Sequence, residues 1–288
     1  MISPETGADL LSGFYCLEPT KVTDKIAAFA VAGTDLLHVV SDFDLTLTAG
    51  NRPGQNIGTW DVMDELMTPE SVARHKQIYQ SFRPIELEGK LTAEIASKKW
   101  AETLDLITEN DISINDIQSA FLRVAKLRDG AKEIFTVCQK NNVPTVVLSS
   151  GISNVISVIA EHYQLAPTYI LSNDLLFDET TRQVTGWRRD SLVHMLNKKE
   201  MGHRELSELR NKRPNVILIG DVPDDVRMVD GDEVIRIRVL DPRKDETHDL
   251  ETVAQSSFNA GYDLVVEHSL QPVANLLTWF ADNDRILG

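Results

Sequence analysis

The chain has 288 residues, of which 44 are acidic and 29 are basic, giving a formal net charge of −15. An acidic chain repels nucleic-acid phosphates and anionic lipids, so neither a polymeric nucleic acid nor a membrane is expected as a partner. Hydrophobic residues make up 42% of the sequence, which is enough to bury the core of a large α/β domain.

The cysteine content and the N-terminal residues indicate the compartment. Cys16 and Cys138 lie far apart and form no Cys-x-x-Cys pair, so neither a zinc site nor a disulfide framework is predicted. The first residues lack the basic and apolar regions of a signal peptide, and no apolar run reaches the roughly 18 residues of a membrane span. We therefore expect a cytoplasmic protein, a monomer or weak dimer, that acts on a small molecule.

Short aliphatic runs alternate with amphipathic helical patterns, which is typical of a parallel sheet with helical crossovers. The predicted strands lie at 37–43, 144–149, 168–172, 215–220, 234–239 and 263–267. The predicted helices of this part lie at 129–141, 152–164, 201–211 and 270–283. A hairpin is predicted over 174–187, and a polar loop with a short helix over 241–262.

The connection between the first two predicted strands is unusually long. It has about 90 residues, whereas an ordinary βα connection has a few residues and one helix. Helical patterns occur there at 69–82, 91–110 and 113–125, and Ser113 is a candidate N-cap. The sequence therefore predicts two domains, which are an α/β core formed by 1–49 and 128–288 and a helical cap formed by 50–127.

Two aspartates, Asp42 and Asp44, stand two positions apart where the first predicted strand ends. Residues i and i+2 of an extended segment point to the same side, so both carboxylates would face the crevice at the carboxyl edge of the sheet. A cation that prefers oxygen ligands, most naturally Mg²⁺, would relieve their repulsion. An Asp-rich turn after a strand is also common, and this pair alone does not distinguish a site from a turn.

Polar residues also follow other strands of the predicted sheet. Ser149 and Gly151 come after the second strand and open a helix, where a hydroxyl and backbone N–H groups can bind a phosphate oxygen. The segment GDVPDD at the end of the fourth strand adds three acids, and two lysines precede that strand: Asp221, Asp224, Asp225, Lys198 and Lys199. Spacing alone does not choose between the lysines, and Asp224 is interpreted as a surface acid.

In these four segments the chain resembles the haloacid dehalogenase-like hydrolase superfamily. It resembles more closely the pyrimidine 5'-nucleotidase family, the cytosolic 5'-nucleotidases of type III, in SDFDLTLT, LSSGISNVI, LSNDLLFDET, the NK of LNKKE and ILIGDVPDDVRMVDG. The resemblance implies a Rossmann-like parallel sheet core with a helical cap inserted after the first strand. It also implies a Mg²⁺-dependent phosphatase of nucleoside 5'-monophosphates, of the pyrimidine or the 7-methylguanosine type.

Phosphate monoesters hydrolyse very slowly in water, so two-step displacement with charge neutralisation is expected. Asp42 is the predicted nucleophile, forming an aspartyl phosphate, and Asp44 the predicted acid and then base. The expected Mg²⁺ ligands are Asp42, the backbone carbonyl of Asp44 and Asp221, with Asp225 bound directly or through another ligand.

Further residues are expected to contact the phosphate. Ser149 and the N–H groups near Gly151 would bind a phosphoryl oxygen, and Lys198 would offset the charge on the nucleophile and the phosphate. Lys198 is preferred to Lys199 by resemblance, because the lysine of the family follows an asparagine, here Asn197.

The cap is expected to recognise the leaving group. Glu86 resembles the glutamate with which the family reads nitrogens of the base, and Trp100 resembles an aromatic position beside it. Alternatively, Glu86 is a solvated acid between two helices and Trp100 a packing residue. Tyr79 and Phe82 are interpreted as residues of the cap core.

Other functions stay open from sequence. The phosphatase could act on phosphoserine or a sugar phosphate, or could transfer phosphate to a second nucleoside. A non-catalytic binding protein is disfavoured, because binding alone does not require the acid/base carboxylate Asp44. Asn173 and Asp174 could line the site, but we interpret them as the start of the hairpin turn.

Overall fold

The computed structural model describes residues 9–50, 57–240 and 250–287. The helices are α1 Pro19–Ala32, α2 Thr59–Asp64, α3 Pro69–Leu87, α4 Ala93–Thr108, α5 Ile114–Val124, α6 Ala131–Lys140, α7 Ser153–Tyr163, α8 Arg204–Lys212, α9 Leu250–Ala260 and α10 Gln271–Leu287. The strands are β1 Leu37–Ser41, β2 Thr48–Gly50, β3 Ala125–Leu127, β4 Thr145–Ile152, β5 Tyr169–Asn173, β6 Leu175–Phe177, β7 Val184–Trp187, β8 Asn215–Gly220, β9 Val234–Leu240 and β10 Leu264–Glu267.

The central sheet of the described residues has six parallel strands in the order β10-β9-β8-β1-β4-β5. Val39 of β1 lies beside Thr145 on β4 and beside Ile217 on β8. All residues of β1 and β8 are buried, which explains why their sequences are aliphatic runs without alternation. The predicted α/β fold with a parallel sheet core is confirmed. Because β1 lies between β4 and β8, three of the polar segments meet at one edge.

Helix α1 was not among the predicted elements. Its buried residues Val22, Ile26 and Phe29 recur at helical spacing, and Pro19 at its first position fits a helix start. The ring centroids of Phe29 and Phe280 of α10 lie 6.3 Å apart, so α1 packs against α10 through this aromatic contact. The sequence signal for α1 was therefore present in the spacing of its apolar residues.

Helices α2 to α5 lie between β1 and β4 in the chain. At their base, β2 and β3 pair antiparallel, with Thr48 beside Leu127, and this small sheet was not predicted. Helix α3 continues through Pro84 instead of ending at residue 82 as predicted. The proline removes one backbone N–H, but the helix closes after it, because the Glu88 N–H donates to the Pro84 carbonyl at 3.0 Å. Glu86 therefore lies in the last turn of a helix.

The predicted hairpin over 174–187 is confirmed as the antiparallel pair β6 and β7, with Leu175 beside Trp187. The indole N–H of Trp187 donates to the Asp105 carboxylate at 2.7 Å, which ties the hairpin to α4. In the predicted loop over 241–262, residues 241–249 lie outside the described residues, and the helix is α9. Among the residues described, no helix has both the length and the apolar character required to cross a membrane.

Candidate active site

A cavity of about 420 Å³ lies between the carboxyl edge of the sheet and helices α2 to α4. Its floor is formed by residues that follow the core strands: Asp42, Asp44, Lys198, Asp221 and Asp225. Its roof is formed by residues of the helices: Trp60, Asp61, His75, Tyr79, Lys99 and Trp100. Residues that are distant in the sequence thus meet around one space of the size of a small-molecule site.

The two aspartates of the floor are positioned by the end of β1. The backbone N–H of Asp42 donates to the Ile219 carbonyl at 2.9 Å, which continues the pairing with β8. Phe43 turns into the core, where it is 1% exposed, so Asp42 and Asp44 share the cavity side as the alternation predicts. Leu45 then adopts a φ of 63°, and this left-handed residue turns the chain sharply away from the edge.

A buried lysine joins two carboxylates of the floor. The Lys198 Nζ lies 2.6 Å from Asp42 Oδ1 and 3.1 Å from Asp225 Oδ1. Burial lowers the pKa of Lys198, but Asp225 and Asp42 outweigh that effect, so its pKa is raised and the ammonium is charged. Burial also raises the pKa of Asp42, while Lys198 acts in the opposite direction.

One carboxylate oxygen from each of Asp42, Asp221 and Asp225 lies within 4.8 Å of the other two. Carboxylate oxygens are the donors that hard divalent cations prefer, and here three buried side chains bring them together. This donor set therefore fits a divalent metal ion. Thr46 donates to Asp221 at 3.2 Å and orients that carboxylate.

The side chain of Asp44 points away from this cluster and is held by Thr59, the first residue of α2. The Thr59 backbone N–H and hydroxyl each donate to Asp44, both at 2.7 Å. Burial raises the pKa of Asp44 to about 6, although the Thr59 hydrogen bonds lower it. Asp44 can therefore gain or lose a proton near neutral pH. Thr59 was missed from sequence because no motif marks it.

The loop after β4 approaches the same carboxylate. The Gly151 N–H donates to the Ser149 hydroxyl at 3.1 Å, and Ser150 between them lines the cavity while Ser149 is buried beneath it. A Cβ atom on Gly151 would lie 2.3 Å from the Thr59 hydroxyl oxygen and 2.8 Å from an Asp44 oxygen. Only glycine fits this close approach.

Asn173 ends β5 directly before the hairpin, as interpreted, and it is not among the residues that line the cavity, but its side chain has a further role. Its buried amide donates to the Ser150 carbonyl at 2.9 Å and the Gly151 carbonyl at 3.1 Å. The same amide nitrogen donates to the Val193 carbonyl at 2.9 Å, and Asn173 thus connects the loop after β4 to the segment that leads to Lys198. Asp174 does begin the hairpin, where it pairs with Arg188 at 3.3 Å.

The structure distinguishes Lys198 from Lys199, which their spacing in the sequence did not, and it also distinguishes Asp225 from Asp224. Lys199 is half exposed and lies 3.9 Å from Asp230, whereas Lys198 is buried in the floor. Asp224 lies at the cavity rim, half exposed, where it pairs with Arg227 at 3.3 Å. Only Asp225 of that acidic pair joins the buried cluster.

Arg128 is a further residue that sequence analysis missed. It is buried and donates to the backbone carbonyls of Leu45 and Thr46, at 2.5 and 2.9 Å. It also donates to the His268 carbonyl at 3.0 Å. Arg128 therefore fixes the turn that carries Asp44, although it lies outside the cavity.

Of the four cap residues considered from sequence, two line the cavity and two do not. Trp100 lines the cavity, and its indole N–H donates to the Ser150 carbonyl at 2.9 Å. Tyr79 is 49% exposed and lines the cavity, so its interpretation as cap core was wrong, whereas Phe82 is buried as expected. Glu86 is not among the residues that line the cavity, and its carboxylate pairs with Arg83 at 2.9 Å.

Comparisons with known proteins identify relatives of the chain. A family model described as pyrimidine 5'-nucleotidase (UMPH-1) matches residues 45–276. A Xenopus laevis protein named "7-methylguanosine phosphate-specific 5'-nucleotidase A" is 26% identical over 265 residues, covering 86% of this chain and 88% of its own. A Caenorhabditis elegans protein named "Putative cytosolic 5'-nucleotidase 3" is 28% identical over 286 residues, covering 92% of this chain and 73% of its own.

Solved structures share the fold. A crystal structure of cytosolic 5'-nucleotidase IIIB bound to cytidine superposes with a TM-score of 0.79 at 21% identity, covering 96% of both chains. A substrate-bound phosphoserine phosphatase superposes with a TM-score of 0.52 at 17% identity, covering 83% of this chain and 96% of its own. At these identities the similarity demonstrates a common architecture.

Proposed function

The chain belongs to the pyrimidine 5'-nucleotidase family and is a phosphoric monoester hydrolase, and on this basis we propose that it hydrolyses nucleoside 5'-monophosphates in a Mg²⁺-dependent reaction. The observation that carries this proposal is the floor, where Asp42 lies 2.6 Å from Lys198 and beside two further carboxylates. The aromatic roof opposite the floor supports a flat leaving group. Nucleosides of the pyrimidine or 7-methylguanosine type have a flat base that could stack on these rings.

In the first step, an Asp42 oxygen attacks the phosphorus atom. The new bond forms as the bond from phosphorus to the 5'-oxygen breaks, and the protonated Asp44 gives its proton to that oxygen. The nucleoside leaves, and an aspartyl phosphate remains on Asp42. The pKa of about 6 supports this role, because Asp44 can start the step as an acid.

In the second step, the ionised Asp44 accepts a proton from a water molecule, whose oxygen attacks the phosphorus atom. The bond to Asp42 breaks, inorganic phosphate is released and both aspartates return to their starting states. Lys198 stabilises Asp42 and the phosphoryl oxygens, while the Ser149 hydroxyl and the Gly151 region bind a phosphoryl oxygen.

Asp42, Asp221, Asp225 and the backbone carbonyl of Asp44 would hold Mg²⁺. When bound, the ion would supply positive charge that lets an anionic substrate approach anionic carboxylates. The proposal also divides the chain into a core, 1–49 and 128–288, and a cap, 50–127, whose Trp100 contacts the base. We further propose a cytoplasmic location, which the name of the nematode relative supports.

The proposal is tested by phosphate release with Mg²⁺ from UMP, CMP, 7-methyl-GMP, phosphoserine and a sugar phosphate. We expect kcat/KM for the best nucleotide to exceed that for phosphoserine and the sugar phosphate by at least about tenfold, because only the nucleotides fill the aromatic roof. A phosphoserine or sugar phosphate preference would overturn the nucleotidase assignment and favour the alternative phosphatase. Adding a second nucleoside to the same assay detects phosphotransfer as a new nucleotide.

A further inference from the structure

The charged groups of the roof differ in how they are paired. Asp61 accepts the Gly58 backbone N–H at 2.7 Å, and a ring nitrogen of His75 lies 2.7 Å from an Asp64 oxygen. Within the part of the chain that the structure describes, the Lys99 ammonium has neither a hydrogen bond nor an ion pair with a protein group. Lys99 therefore brings to the cavity a positive charge and hydrogen-bond donors that no acceptor of the described residues uses.

The ammonium of Lys99 lies against the two rings that would stack on a base. Its Nζ is 4.5 Å from the Trp100 ring centroid and 5.3 Å from the Tyr79 ring centroid. Both distances are typical of cation–π contacts, in which the electron-rich ring face attracts a cation. A positive charge thus already occupies the aromatic surface of the roof.

Glu86 influences this charge, but among the described residues it forms no ion pair with Lys99. Glu86 is bonded to Arg83 at 2.9 Å and lies outside the cavity. Burial lowers the pKa of Lys99, and Glu86 acts in the opposite direction, so the acid supports the charged form from a distance. Lys99, Tyr79 and Trp100 therefore line the roof without the Glu86 carboxylate. The Asp61 carboxylate also lines the roof, where it accepts the Gly58 N–H.

We propose that Lys99 is a specificity-determining residue that selects an uncharged base with a carbonyl oxygen and discriminates against a positively charged base such as 7-methylguanine. The inference rests on the proposed nucleotidase function. An ammonium has three donors and no acceptor, and uracil and cytosine offer a carbonyl oxygen to it. Methylation at N7 places a positive charge on the purine, and two like charges repel strongly in a cavity from which water is partly excluded.

This assignment distinguishes the chain from relatives that are named as 7-methylguanosine phosphate-specific. Their names alone would predict 7-methyl-GMP as the preferred substrate. The Lys99 ammonium against the aromatic rings of this chain predicts the opposite order, with UMP or CMP ahead of 7-methyl-GMP.

The test compares kcat/KM for UMP, GMP and 7-methyl-GMP in the wild type and in Lys99→Gln. GMP and 7-methyl-GMP differ by one methyl group and its charge, so GMP controls for the size of the purine. In the wild type we expect 7-methyl-GMP to be poorer than UMP. In Lys99→Gln the ratio of 7-methyl-GMP to UMP should rise about tenfold, which corresponds to about 1.4 kcal/mol, and the ratio of GMP to UMP should rise much less.

Two further variants separate charge from a general disturbance of the helix. Lys99→Arg keeps the positive charge and should keep the wild-type ratios. Lys98→Gln removes the neighbouring charge, which is 70% exposed and lies 3.8 Å from Glu102, and should also keep them.

Several outcomes would overturn the inference. These are a wild type that prefers 7-methyl-GMP, a Lys99→Gln variant with unchanged ratios, and an equal rise for GMP and 7-methyl-GMP, which would indicate size. A different result identifies failure of the proposed function itself. An enzyme that hydrolyses p-nitrophenyl phosphate but none of the three nucleotides would still be a phosphatase, and both proposals about nucleotides would fall.

Discussion

The floor and the roof of the cavity are built in opposite ways. In the floor, every charged side chain except Asp44 is buried, and each contacts another functional group, as Lys198 does with Asp42 and Asp225. In the roof, Tyr79 is half exposed and Lys99 contacts ring faces only. The mutual contacts of the floor suit a reaction centre that always acts on a phosphate group. The roof has fewer such contacts, so single substitutions there can change which leaving group is accepted.

The largest expected effect comes from the floor. Asp42→Asn should lower kcat by about 10⁴-fold or more, because the amide is a poor nucleophile and no neighbouring carboxylate occupies its position. Phosphate release from UMP at saturating Mg²⁺ measures the loss. Asp224→Asn, at the exposed rim, is the matched control and should retain activity. Activity of Asp42→Asn within tenfold of the wild type would refute the assignment of the nucleophile.

The second prediction concerns stability. Lys198→Met should lower the free energy of unfolding by about 3–5 kcal/mol at neutral pH, because it leaves Asp42 and Asp225 as unpaired buried charges. Urea denaturation in the presence of a chelator measures the change. Lys199→Met, which removes an exposed charge, should change it by less than about 0.5 kcal/mol.

The pH dependence of unfolding gives a further comparison of the two lysine variants. Protonation of the carboxylates removes their repulsion, so the loss caused by Lys198→Met should shrink as the pH falls. Equal losses for the two lysine variants at neutral pH would mean that the floor is no more interdependent than the exposed surface.

The smallest expected effect lies where the two regions meet, at Thr59. If Asp44 starts the reaction as an acid, kcat/KM falls as the pH rises through its pKa of about 6. Thr59→Val removes a hydroxyl donor that favours the ionised form, so the pKa of Asp44 rises and this fall moves to higher pH. Thr59→Ser keeps the donor and should keep the wild-type profile. A profile for Thr59→Val that is unmoved, or that moves to lower pH, would contradict the role of this contact.

The residues that could be predicted from sequence are those whose position follows from a strand end. Asp42, Ser149 and Asp221 each come directly after a buried aliphatic run, and parallel strands bring such ends to one edge. The order of the strands then decides which ends are neighbours. The fold and the residues of the floor could therefore be predicted from the sequence.

The residues that could not be predicted act through contacts between distant segments. Arg128 bonds a carbonyl 82 positions earlier in the chain, and Asn173 bonds carbonyls of the loop after β4 and of the segment before Lys198. No local pattern encodes such a partner. The places of Tyr79 and Glu86 were also predicted wrongly, because the packing of α3 decides which of its side chains reach the cavity. Tyr79 lines the cavity, whereas Glu86, beyond Pro84, does not.

The hydrogen bond from the Trp100 indole to the Ser150 carbonyl joins the roof to the loop beside Asp44. A base that displaces Trp100 would also disturb this backbone, which is proposed to bind the phosphoryl group. Misfit at the base would then be transmitted to the reacting atoms and would slow turnover more than it weakens binding. The contact thus gives the fit of the leaving group a route by which it can affect the reaction of a bound substrate as well as its binding.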